Sequence, residues 1–140
     1  ETIFAHYHNC IIKHRELQKM CKEYWEKSWL NEIKYRMLKD NLQIAIYPYG
    51  KIGKMVKRIL NENDIWESLI VDNYKEGEGI VGLKELEEMD TTKYLYLVCS
   101  STGTVYIDIR EQLARYVCPE NIYDLCPAEM VVNHPFSYYE

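Results

Sequence analysis

Gly50 and Gly53 follow a short β-rich run, Leu42-Gln43-Ile44-Ala45-Ile46-Tyr47, and open a stretch with helical spacing at Ile52, Met55, Val56, Ile59 and Leu60. A strand that turns sharply into a helix leaves the first main-chain N–H groups of that helix without intrahelical partners. With the positive end of the helix dipole, those groups attract an anion such as a phosphate. Gly50 is placed to let backbone approach a phosphate, and Gly53 to let helix and sheet pack with no Cβ between them. Such a site also places an acid about 20 residues on, at the end of the second strand, where it meets a ribose hydroxyl. Asp72 closes Ser68-Leu69-Ile70-Val71-Asp72 at that separation, with Asn73 after it. The candidate ligand contacts are therefore Tyr49, Gly50, Lys51, Ile52 and Gly53 in the turn and Asp72 and Asn73 beyond the second strand. Ser100, Ser101 and Thr102 join them from the loop after a later strand.

Each feature has a structural reading beside the chemical one. The first glycine of G-x-G-x-x-G falls at Pro48. Proline fixes φ and removes an amide donor, which predicts a turn of different shape with reduced or absent phosphate affinity. Lys51, Lys54 and Lys57 either attract a phosphate or form a solvated helix face. Asp72-Asn73 either meets a ribose or makes a turn. The hydroxyls of residues 100–102 either bond a ligand or cap the next helix, and the two roles are compatible.

Other chemistry finds less support. His6, Cys10 and His14 share a helical face, but three residues over eight positions span too much rise to hold one ion easily, so no metal is expected. No G-x-S-x-G elbow occurs, and Cys99 has no evident base partner. Tyr47 with Lys51, and Tyr35 with Lys39, have the Tyr-x-x-x-Lys spacing of short-chain reductases, but neither pair lies on a helix after the nucleotide unit. With no acid/base pair in proper context, any chemistry is expected to come from a partner domain.

The elements that must position these residues can be read from periodicity. Residues 2–39 lack Gly and Pro and place Phe4, Tyr7, Ile11, Leu17, Cys21, Tyr24 and Trp25, then Trp29, Leu30, Ile33, Met37 and Leu38, at helical spacing. They form one long rod or two helices broken near Ser28. After residue 41, strands are expected at 42–47, 68–72, 80–81, 94–99 and 122–125. Helices are expected from Lys51, over 83–89, and from the Ser100 loop to about Val117. Tyr94-Leu95-Tyr96-Leu97-Val98-Cys99 is apolar on both faces, as parallel strands usually are. The alternation predicts an α/β domain with a mostly parallel sheet of about five strands between helical layers over residues 41–140, preceded by a helical segment over 1–40.

Ile44-Ala45-Ile46-Tyr47, Tyr49-Gly50-Lys51-Ile52-Gly53-Lys54, Val71-Asp72-Asn73 and Leu83-Lys84-Glu85-Leu86 after a Gly-rich turn resemble small Rossmann-type modules of bacterial surface-sugar pathways. Such modules are similar to the N-terminal domain of sugar O-acyltransferases. Related ones stand beside glycosyltransferase and methyltransferase domains and in nucleotide-sugar dehydratases. The resemblance covers about residues 42–126. It implies a Rossmann-like three-layer fold and binding of NAD(P) or a nucleotide-sugar. Gly50 and Gly53 take the phosphate turn, Asp72 the ribose acid, and Ser100 to Thr102 the loop that faces the ligand.

Composition narrows the partners. The 140 residues carry a net charge of −5, with hydrophobic and charged fractions of 47% and 28%, as in an ordinary soluble domain. Residues 1–40 hold eight Lys/Arg against six Asp/Glu, a balance of +2, and the remainder nine against sixteen, a balance of −7. An acidic main domain repels a nucleic-acid backbone, so no nucleic-acid partner is expected. No apolar run is long enough for membrane insertion. Five cysteines without a CxxC pair fit a reducing, cytoplasmic setting. The aromatic residues Tyr24, Trp25, Trp29 and Tyr35 either pack on the chain's own sheet or form an interface, with another subunit as a homo-oligomer or with a neighbouring glycosyltransferase or methyltransferase domain.

Overall fold

The computed structural model describes residues 3–100 and 103–125. A single uninterrupted helix, α1 (Ile3–Asp40), takes up the N-terminal segment, without the break considered near Ser28. Asn41 stops it in the left-handed region at φ 52°, and the Leu42 N–H reaches back to the Met37 carbonyl at 3.2 Å. This is a Schellman closure, in which the residue after the cap buries its side chain against the last turn. Leu42 is accordingly buried, and β1 (Gln43–Tyr47) begins one residue later than its apolar run.

The chain then runs through α2 (Lys51–Glu62), β2 (Glu67–Val71) and β3 (Ile80–Val81), and later through β4 (Tyr94–Val98), α3 (Gly103–Ala114) and β5 (Ile122–Asp124). Helix α2 ends like α1, with Asp64 at φ 60° and the Ile65 N–H bonded to the Leu60 carbonyl at 2.9 Å. Between β3 and β4 the expected short helix is a 3₁₀ segment, Leu83–Glu88. Its two buried side chains, Leu83 and Leu86, are three residues apart, the repeat of a 3₁₀ turn rather than an α-helix.

The five strands form one sheet in the order β3-β2-β1-β4-β5, and every pairing is parallel. Alternation along each strand divides the core. Ile44, Ile46, Leu95, Leu97 and Cys99 face α1 and α2, together with Trp25, Trp29, Leu30, Ile33, Val56, Ile59 and Leu60. Ala45, Tyr47, Leu69, Val71, Tyr96 and Val98 face the 3₁₀ segment and α3, through Leu83, Leu86 and Leu113. This is an α/β three-layer fold of the Rossmann-like kind.

Helix α1 is bound to the β5 side of the sheet by polar contacts as well as apolar ones. The Trp25 indole donates to the Leu125 carbonyl at 3.3 Å, Arg36 to the Glu120 carbonyl at 2.8 Å, and the Tyr123 hydroxyl to Glu32 at 2.6 Å. Trp25 and Trp29 thus lie in the domain's own core, whereas Tyr24 and Tyr35 are exposed. Among the described residues no helix is long and apolar enough to cross a membrane. Because the second half of α1 completes one face of the sheet, truncating Ile33 opens a cavity in the main core. Ile33→Ala is expected to lower stability by about 2–5 kcal/mol in one cooperative denaturant transition. An effect below about 0.5 kcal/mol would mean that α1 packs independently of the sheet.

Candidate functional site

Strand order reverses between β1 and β4: the chain proceeds outward from β1 to β2 and β3, then returns to β4 and β5 on the other side. In open parallel sheets the loops at the carboxyl ends of two such strands diverge and leave a crevice, the usual ligand position. The turn from β1 into α2 stands on one side of this point, and Cys99 and Ser100 follow β4 on the other.

The turn is built around Asp72. Its carboxylate is buried at the end of β2. Oδ2 accepts the Tyr49 N–H at 2.8 Å, and Oδ1 accepts the N–H groups of Tyr74 at 2.7 Å and Lys75 at 3.1 Å. An ionised carboxylate offers about four acceptor positions, so three of them are occupied by main chain. Asp72 therefore braces the turn after β1 and closes its own turn after β2. Asn73 has a parallel duty, its Oδ1 accepting the Leu83 N–H at 2.8 Å at the entrance to the 3₁₀ segment.

The Tyr47–Pro48 peptide is cis. Gly50 caps α2 in an extended conformation, its carbonyl accepting the Lys54 N–H at 3.0 Å. No atom lies within 4 Å of the place a Cβ would occupy at Gly50, so this side of the turn is open. A Cβ on Gly53 would instead collide with the Pro48 carbonyl oxygen. The two glycines have different duties: Gly53 lets the helix close onto the turn, and Gly50 leaves space outside it. The amides of Lys51, Ile52 and Gly53 have no hydrogen-bond acceptor among the described residues. They are donors available to an anion.

Side chains near the turn divide in the same way. Ile52 and half-buried Tyr49 pack against the core, and the Lys54 ammonium sits 5.8 Å from the centre of the Tyr49 ring. Lys51 is exposed. Lys57 is bonded to Glu67 at 2.9 Å, an interaction that raises its pKa and commits it to the start of β2. Of the positive cluster, Lys51 and Lys54 belong to the first turn of α2. Ser100 is buried at the end of β4, while Ser101 and Thr102 lie outside the described residues.

Cys99 is buried and its thiol pKa is pushed far up by desolvation, which opposes thiolate formation. Ser100 has no His or carboxylate bonded to it among the described residues. The side chains of His6 and Cys10 lie outside the described set, and no metal-binding cluster occurs within it. One constellation went unnoticed in the sequence. Arg110 Nε donates to both oxygens of Asp124, at 3.0 and 3.2 Å, and the Tyr106 hydroxyl donates to Oδ1. The available signals were the four-residue spacing of Tyr106 and Arg110 on α3 and an acid ending the last strand. Tyr47 also reaches α3, its hydroxyl 3.2 Å from Gln112 Oε1. Burial, followed by the nearby charge of Asp72, pushes the Tyr47 phenol up to about 12.

Comparison of the chain with protein families, curated proteins and solved structures finds no match.

The different surroundings of the two glycines predict different costs. Gly53→Ala should destabilise by about 1–3 kcal/mol because backbone must move. Gly50→Ala should cost under about 1 kcal/mol, the scale of a cap change. Equal losses in chemical denaturation would contradict this division. A second expectation concerns pH. A phenol whose folded-state pKa exceeds its unfolded value keeps its proton longer when folded, so its contribution is whole below the unfolded pKa. For Tyr47 the contribution is complete below about pH 10 and declines as pH rises toward 12. The denaturation midpoint should therefore fall more between pH 8 and pH 11 in the wild type than in Tyr47→Phe, and parallel falls would exclude this origin.

Proposed function

We propose that this chain is a nucleotide-binding module of the Rossmann type, taking NAD(P) or a nucleotide-sugar at the turn between β1 and α2. It serves bacterial surface-polysaccharide or nucleotide-sugar metabolism as part of a larger protein or an oligomer. The observation that carries the reading is the set of three unpaired amides at Lys51, Ile52 and Gly53, beside an open Gly50, at the point where strand order reverses. Such donors suit a phosphate, and Lys51 and Lys54 add positive charge on the same side.

The role of Asp72 in this reading is narrower than in a standard ribose site. With three acceptor positions taken, it supports the phosphate turn first and has about one position left for a ribose hydroxyl. Ser100, which follows β4, faces the ligand from that side in this reading. Chemistry on the bound nucleotide falls to a partner domain. An alternative reading, an interaction domain with a degenerate nucleotide site, draws its support from the exposed apolar residues of α1.

Thermal melting with NAD, NADP and UDP-sugars tests the proposal. A ligand at 100 times its dissociation constant stabilises the folded state by about 2.7 kcal/mol, a shift of several degrees. Gly50→Val is the informative variant, because open space around Gly50 lets the fold stand while the side chain fills the phosphate position. The expected result is a shift in the wild type that Gly50→Val abolishes. No shift with any of these ligands would reject nucleotide binding.

A further inference from the structure

Helix α1 carries two apolar stripes. Trp25, Trp29, Leu30, Ile33 and Met37 pack on the sheet. Leu17, Met20, Tyr24, Tyr35 and Leu38 are between 58% and 86% exposed. At about 100° per residue, this second set falls within an arc of about 60°, centred on the side of the helix directly away from the sheet. Exposed Asn31 lies in the same arc. The stripe extends over residues that touch the domain and residues that do not. Trp25 is level with Leu125 at the carboxyl end of β5, so the residues before it continue past the sheet edge for about 33 Å. Described side chains from Lys13 to Met20 are exposed.

One flank of this stripe holds four charges in a symmetric arrangement. Glu16 and Glu23 precede residue 25 by nine and two positions, and Lys27 and Lys34 follow it by two and nine. All four are exposed and make no ion pair among the described residues. A two-fold axis beside the outer face of the helix, level with residue 25, sets Glu16 opposite Lys34 and Glu23 opposite Lys27 of an antiparallel second helix. Every pair occurs twice. The same axis, to within about one residue, sets Leu17 against Tyr35, Met20 against Asn31 and Tyr24 against Ser28 of the second copy. An apolar seam with one buried Asn and flanking opposite charges is the pattern by which paired helices select register and orientation.

From this juxtaposition we infer that the outer face of α1 is an isologous docking surface for a second copy of this chain, with the two α1 helices antiparallel and in contact from Lys13 to Leu38. The contact runs for about 37 Å. It leaves the sheet-facing stripe intact and does not depend on nucleotide binding. A parallel pairing would instead put the four charges on opposite sides of the seam in the two copies, where none of them meets another.

Sedimentation equilibrium across a micromolar concentration series, with mixed charge variants, tests the inference. The wild type should be dimeric. Glu16→Lys/Glu23→Lys and Lys27→Glu/Lys34→Glu should each self-associate at least about tenfold more weakly, because every flanking pair becomes like-charged. An equimolar mixture of the two should recover a dimer, because opposite charges then face one another in every pair. A monomeric wild type, or undiminished self-association of the charge variants, would overturn it. Orientation is read separately, from spin labels carried by an unnatural amino acid at Arg15 in both copies. Antiparallel pairing separates them by about 30 Å along the axis and by more than that in all, and a separation under about 30 Å would indicate parallel helices and reject the assignment.

Discussion

A parallel sheet must be covered on both faces, because its crossover connections and its apolar strands leave neither face suited to water. In this chain the crossover helices alone do not suffice. Helix α2 covers the β1 and β2 side of one face, and α3 with the 3₁₀ segment covers the other. The remaining area, over β4 and β5, is closed by a helix that precedes the sheet in sequence. The second half of α1 supplies two tryptophans and three aliphatic side chains there, and its Trp25, Glu32 and Arg36 reach polar partners around β5. The position of α1 also sets the height from which its first half extends past the sheet edge.

The candidate crevice depends on a second, more local constraint. In this turn α2 engages the Gly50 carbonyl through the Lys54 N–H but leaves its own first amides unpaired. Asp72 provides an external brace by drawing the Tyr49 N–H toward β2, and Gly53 allows the helix to settle on Pro48. The strand pair and the helix are thereby joined at the point where β1 ends. The residue expected to meet a ligand also holds the shape of the place where a ligand would sit. The departure at Pro48 falls inside this braced turn, and the free donors lie just beyond it.

Much of the architecture was legible because its signals are local. Period-two alternation, helical spacing and Gly or Pro punctuation are properties of short windows, and they located all five strands and the helices that separate them. Asn41 after Asp40, and Asp64 after Asn63, mark helix ends through backbone conformations that Asn and Asp accept more readily than most residues. The strong apolarity of residues 94–99 marked β4 as a parallel strand covered on both faces for the same reason, and the structure pairs it on both sides.

Relations between distant segments lay beyond such windows. The bond from Tyr49 to Asp72 spans 23 positions, and that from Trp25 to Leu125 spans 100. Neither residue type announces its partner, because an acid after a strand suits a ligand and a main-chain amide equally well. The neighbouring aromatics Tyr24 and Trp25 show the same limit. Adjacent positions on a helix point about 100° apart, so one enters the core and the other meets solvent. Helical spacing in a chain that is apolar on two sides identifies a helix without stating which side turns inward. That choice was made by the sheet, whose uncovered β4 and β5 surface accepted the stripe of Trp25, Trp29 and Ile33 and left its opposite outside.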